Sequence, residues 1–175
     1  MANKKKETEE LLDLVDKHDR VIGEVARSEA NSNPDVIHRE IGVLIYDNKN
    51  RILVQQRSYK KKTDPGSWII SCAGHVSKGM TPLEAARMEL REELGFDTEL
   101  KFVGKVLLKY PNETHFAYLY YGKYNGEEIT IDPSETVKTK FVTQNDLRTI
   151  KENVEPISYG MMMEFWDGCF RRTNT

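Results

Sequence analysis

Residues 79–96, GMTPLEAARMELREELGF, constrain this chain more tightly than any other stretch. Thr81 suits an N-cap, Pro82 a first helical position and Gly95 a stop, so a helix is expected from roughly 82 to 94. Leu83, Ala86, Leu90 and Leu94 recur at steps of three and four and form its buried stripe. Glu89, Glu92 and Glu93 share one face beside that stripe, because a helix turns about 100° per residue. Like charges so placed repel by roughly a few tenths of a kcal/mol per pair. A hard divalent cation relieves the repulsion. Ligation by oxygen alone suits Mg2+ or Mn2+, with water and substrate phosphate completing the shell. A plain solvated acidic face is the competing reading.

The rest of the chain fits one enzyme domain spanning 1–175, since 175 residues is about one domain by length. Net charge is −2, which calls for neither nucleic acid nor an anionic membrane surface as partner. No run approaches the eighteen or so apolar residues of a membrane span. The opening MANKKKETEE is followed by acids rather than an apolar stretch, unlike a signal peptide, and residues 1–10 are expected to be flexible. Cys72 and Cys169 make neither a disulfide framework nor metal-ligand spacing, so a reducing, cytoplasmic location is the default.

Residues 11–26 read as two strands around a turn at 17–20, a hairpin that with the link to 33 forms an N-terminal extension. The Ser/Asn/Pro-rich stretch 28–34 is too short to divide domains. Strands are expected at 40–47, 51–56, 68–73, 99–109, 114–124 and 136–142. Thr143 and Asp146 signal a helix start, and 157–171 a last apolar helix that could supply a homodimer interface. The pattern is α+β, a mixed β-sheet sandwiched between α-helices with an N-terminal β-hairpin.

Residues 74–96 resemble the Nudix box, G-x5-E-x7-R-E-U-x-E-E-x-G-U, where U is a bulky apolar residue. Gly74, Glu89, Leu90, Glu92-Glu93, Gly95 and Phe96 match it. Met80 stands in place of the early glutamate and Met88 in place of the arginine, which in the family orients the metal-binding glutamates. Arg87 projects about 100° and Arg91 about 60° away from position 88, and neither is a direct substitute. The resemblance implies the Nudix fold of the MutT-like hydrolases.

Upstream lies a basic loop, Gln55-Gln56-Arg57-Ser58-Tyr59-Lys60-Lys61-Lys62, then Pro65-Gly66-Ser67-Trp68. Arginine grips phosphate oxygens bidentately, whereas lysine acts as a movable point charge. Together with His38 and Gly74-His75, this stretch resembles the isopentenyl-diphosphate isomerases and the hydrolases built on their plan. The resemblance implies diphosphate binding by Arg57 and Lys61, metal binding by His38 and His75, and a metal-binding role for Glu113. Isomerase chemistry itself is not expected. Its catalytic cysteine falls on Ala73, and Cys72 next to it points to the opposite face of a strand. A further metal-site histidine falls on Asn31 and a glutamate on Pro111, while Glu89, which these isomerases replace, is present. His38 and His75 are thus either ligands or packed remnants of that plan, and His18 and His115 are read as structural. Trp68, Phe116, Tyr118 and Tyr120 are read as core and sheet residues. The Met161–Met163 run reads as adaptable core, able also to wall an apolar pocket.

The expected function is Mg2+- (or Mn2+-) dependent hydrolysis of a diphosphate linkage in a small molecule, a nucleoside diphosphate derivative or a related organic diphosphate. Glu89 and Glu93, with Gly74, would hold the principal cation, and Glu92 would complete the cluster. Glu92 or Glu113 would accept the water's proton, and Arg57 and Lys61 would stabilise charge on the leaving phosphate. An isopentenyl-diphosphate isomerase and a non-catalytic diphosphate-binding module are the alternatives.

Overall fold

The computed structural model describes residues 9–168. In chain order its strands are β1 (Leu11–Val15), β2 (Val21–Ala26), β3 (Ile37–Tyr46), β4 (Ile52–Arg57), β5 (Trp68–Ile69), β6 (Cys72–His75), β7 (Leu100–Lys109), β8 (Thr114–Lys123) and β9 (Thr136–Val142). The helices are α1 (Arg27–Ala30), α2 (Pro82–Leu94), α3 (Gln144–Thr149) and α4 (Pro156–Gly168), with a 3-10 turn at Lys151–Asn153.

The β1–β2 hairpin forms at the expected turn. The Asp16 carboxylate accepts the N–H groups of His18 (2.8 Å) and Arg20 (3.0 Å). The Asp19 carboxylate then accepts the Arg39 guanidinium at 2.6 Å and fastens the hairpin to β3.

β3 organises the rest. One edge runs parallel to β8 from Ile37↔Thr114 to Tyr46↔Lys123, and the other pairs antiparallel with β6 from Glu40↔His75 to Val43↔Cys72. The expected continuous strand over 68–73 is broken. Ser71 is fully buried, and its hydroxyl accepts Ile45 N–H at 2.8 Å while donating to the Leu53 carbonyl at 2.6 Å. That side chain bridges β3 and β4, so β5 pairs with β4 and β6 crosses to β3.

α2 begins and ends as its sequence predicts. Thr81 and Glu84 form a capping box, and Gly95 takes φ +79° at the C-cap. Ala85, Ala86, Leu90 and Leu94 are buried against Ile41, Val43 and Ile45 of β3. Leu83, expected in that stripe, is instead 37% exposed. Its angular position is right, but it lies in the first turn, and burial begins only at Ala85. On the sheet's other side Leu44, Val54 and Ile70 meet Leu147 of α3 and Met162, Phe165 and Trp166 of α4. The mixed sheet therefore lies between helices, as expected. Trp68, Phe116 and Tyr120 are buried as expected. Cys169, the expected continuation of the last helix to 171 and residues 1–8 of the amino-terminal segment lie outside the described residues. Among the described residues, no helix is long and apolar enough to cross a membrane.

Candidate active site and metal centre

Strand alternation turns His38, Glu40 and Gly42 of β3 to one face and Ile41, Val43 and Ile45 to the other. The parallel register sets His38 beside His115, and the antiparallel one sets Glu40 beside His75. Three imidazoles consequently surround one carboxylate. Glu40 Oε1 lies 3.4 Å from His38 Nε2 and 3.2 Å from His75 Nε2, and Oε2 lies 3.5 Å from His115 Nε2. Glu113, just before β8, joins them, with ligand atoms of His38, Glu40, Glu113 and His115 all within 4.8 Å of one another. Asn31 Oδ1 approaches His75 Nε2 at 2.9 Å.

The donor set fits a metal ion. Contacts of 3.2–3.5 Å are long for charge-assisted hydrogen bonds, which run about 2.7–2.9 Å. They fit the edge of a coordination shell, where neighbouring ligands about 2.1 Å from an ion stand about 3.0–3.4 Å apart. Mixed imidazole and carboxylate donors suit zinc, manganese or iron better than Mg2+. Charge states agree. Burial pushes the His75 pKa down to about 4 and lowers that of His115, leaving neutral rings. Burial pushes Glu40 up, but its His38 contact and the positive charge that the neighbouring imidazoles carry at low pH outweigh that and hold it down at about 2. Neutral imidazole and ionised carboxylate are the ligating forms.

The α2 carboxylates form a second group. Glu89 and Glu93 are partly buried and Glu92 is exposed. Gly74 of β6 is what lets Glu89 in, because a Cβ there would lie 2.3 Å from Glu89 Oε1. Burial, then the charges of Glu93 and Glu92, push Glu89 up to about 8, and burial also raises Glu93. The helix's own arginines bring no relief, since Arg91 pairs with Asp97 at 2.7 Å and Arg87 faces solvent. A partly buried all-oxygen group, its charge offset only in part by Arg27, fits a hard cation such as Mg2+.

Both groups open onto one cleft of about 650 Å3, whose walls include Arg57, Lys61, Gly74, Glu113 and Glu135. Arg57 Nε donates to the Thr63 carbonyl at 3.0 Å, and the Lys61 ammonium pairs with the Glu135 carboxylate. Lys60 and Lys62 are exposed and do not line the cleft. Ala73 lines it, whereas Cys72 is fully buried on the α2 side, where burial and then Glu93 and Glu89 keep its thiol protonated. An adjoining cavity of about 330 Å3 shares Glu40, Ala73 and Glu113 with the cleft. It shares Gly42, Ile70 and Met161 with an apolar pocket of about 240 Å3.

The structure thus places Arg57, Lys61, Gly74, His75, Glu89, Glu92, Glu93 and Glu113 along one cleft, while the fully buried His38 is not among its lining residues. Glu113 sits with His38, in keeping with the metal-binding role that the resemblance implies for both, and His115, read as structural, faces the Glu40 carboxylate as well. Glu40 was not singled out from the sequence, although its two-residue spacing from His38 puts it on the same strand face. For His115 the signal is the register alone.

The chain belongs to the Nudix family: the NUDIX domain profile matches residues 36–165. The isopentenyl-diphosphate Delta-isomerase 2 of Photorhabdus laumondii is 32% identical over 154 residues, covering 85% of this chain and 86% of that protein. An isopentenyl-diphosphate Delta-isomerase of Streptomyces coelicolor is 33% identical over 144 residues, covering 78% of this chain and 73% of its own length. Among solved structures, DR0079 from Deinococcus radiodurans superposes with a TM-score of 0.75 at 20% identity, over 89% of this chain and 98% of the other. A MutT protein from Methanosarcina mazei does so with a TM-score of 0.64 at 20% identity, over 79% and 96%. These likenesses show the Nudix fold, an α+β mixed sheet with flanking helices, in an enzyme family.

Proposed function

We propose that this chain is a divalent-cation-dependent hydrolase that cleaves the diphosphate linkage of a small organic diphosphate. The observation that carries this reading is one cleft with the carboxylates of Glu89, Glu92 and Glu93 on one wall and Arg57 and Lys61 on another, and no thiol among its lining residues. Mg2+ held by the box carboxylates would supply charge neutralisation of the phosphate oxygens and a more acidic bound water. The chain's own groups do the rest. Arg57 and Lys61 grip the diphosphate and stabilise charge on the departing phosphate. Glu92, the exposed member of the trio, accepts the proton of the attacking water, with Glu113 as the second candidate. The apolar pocket that adjoins the second cavity at Gly42, Ile70 and Met161 suits an organic half that is more hydrocarbon than base.

A second reading, isopentenyl-diphosphate isomerisation, is favoured by the names of the relatives and by His38, His75 and Glu113. Ala73 at the position of the isomerase cysteine weighs against it. Incubation with Mg2+ and a panel of nucleoside diphosphate derivatives, dinucleotides, coenzyme A and isopentenyl diphosphate, with an EDTA control, separates the two. Metal-dependent cleavage supports hydrolysis. Rearrangement of isopentenyl diphosphate without phosphate release overturns it.

A further inference from the structure

Glu93 is partly buried among other acids, and the charge of Glu135 adds to the cost of its ionisation. No arginine or lysine side chain bonds it among the described residues. Its partners are neutral: the Gln55 amide, whose Nε2 donates to Oε2 at 2.7 Å, together with the Cys72 thiol and the Ala73 N–H. Gln55 comes from β4, on the same strand face as Leu53, which packs with α2, and is 2% exposed. A buried amide has two orientations, and the wrong one would set its oxygen against the carboxylate. Thr136 of β9 anchors the other end of the amide, because its hydroxyl donates to Gln55 Oε1 at 2.6 Å and is itself buried. A flipped amide would lose the bond to Glu93 and set oxygen against oxygen, while the Thr136 hydroxyl holds the far end of the amide in place. Meanwhile Met88 stands on α2 at the cleft, where an orienting arginine is expected.

We propose that Gln55, locked by Thr136, is the positioning residue of Glu93, aiming its carboxylate at the cation site while leaving its negative charge uncompensated. A guanidinium would orient the group but also offset the charge that attracts the cation. A neutral amide orients without that offset. The role is indirect, since Gln55 acts through Glu93.

The inference rests on Glu93 being a cation ligand, and the test separates the two claims. Mn2+ binding to the full chain is titrated by electron paramagnetic resonance, and the site of interest is the one that Glu93→Gln removes. If Glu93→Gln changes nothing, the proposed cation site falls and this inference with it. If it removes a site, Gln55→Leu is expected to weaken that site about tenfold, the lower end of what loss of a supporting partner costs. Activity lost in Gln55→Leu should then recover as Mg2+ is raised, which damaged folding would not allow. Thr136→Val should weaken the same site about threefold and Thr136→Ser should not, because the hydroxyl and not the volume holds the amide. Wild-type Mn2+ affinity in folded Gln55→Leu overturns the proposal. Should Gln55→Leu not fold, equal affinity in Thr136→Val and Thr136→Ser overturns it instead.

Discussion

Glu89→Gln in the metal-free protein is the sharpest test of the charge arrangement. Below its ordinary pKa of 4.5 the Glu89 carboxyl is protonated in folded and unfolded chains alike, and glutamine mimics it closely. In the folded protein the pKa climbs to about 8, first through burial and then through Glu93 and Glu92. The folded state therefore holds a proton that the unfolded state has released, and stability falls as pH rises from about 4.5 to about 8. Each pKa unit is worth about 1.4 kcal/mol, so the ceiling on this loss is about 5 kcal/mol. Glu89 keeps part of its surface open to the cleft and to screening water, which brings the expectation to on the order of 2 kcal/mol. For a chain of this size that is roughly 4–8 °C in Tm. Thermal unfolding in EDTA at pH 5 and pH 8.5 measures it. Glu89→Gln should exceed the wild type by only a fraction of that margin at pH 5 and by the whole of it at pH 8.5, and added Mg2+ should stabilise only the wild type strongly. An advantage of equal size at both pH values would show that Glu89 is not strained by its charge, and the reasoning would fail.

Gly74→Ala places a Cβ 2.3 Å from Glu89 Oε1, so the carboxylate must move. Overpacking of this kind costs about 1–3 kcal/mol, and a folded variant should lose turnover more than substrate affinity; unchanged turnover would refute the role given to this contact. Arg57→Ala should raise KM for the diphosphate roughly tenfold or more, since a hydrogen bond to a charged group is worth about 1.5–3 kcal/mol. Steady-state kinetics at saturating Mg2+ would reveal it, and an unaltered KM would remove Arg57 from substrate binding. Titration with Co2+ should produce visible absorption from nitrogen-ligated metal at the His38–Glu40–His115 cluster. His115→Ala or Glu40→Gln should weaken it, and persistence of the same spectrum in both variants would place the ion elsewhere.

The parts that were legible in the sequence are those written in neighbouring residues. The capping pair Thr81 and Glu84, Pro82 and Gly95 delimit α2 with local hydrogen bonds and backbone preference, and the structure keeps those limits. Strand alternation could have paired Glu40 with His38, but a carboxylate in an apolar strand reads as a solvent-facing residue until its neighbours are known. Leu83 illustrates the converse, a residue with the right helical phase that the first turn of α2 leaves partly exposed.

Taken alone, the sequence determined the glutamate spacing, the helix that carries it, the hairpin turn and the basic loop after β4, because each depends on contacts within a few residues. Tertiary structure decided which distant groups meet. The parallel register of β3 and β8 placed His115 at His38, and the crossing of β6 at Ser71 carried His75 to Glu40 and Ala73 into the cleft. Register is set by the sum of long-range pairings and core packing. No single residue encodes it, so the histidine centre became visible only once the sheet was formed.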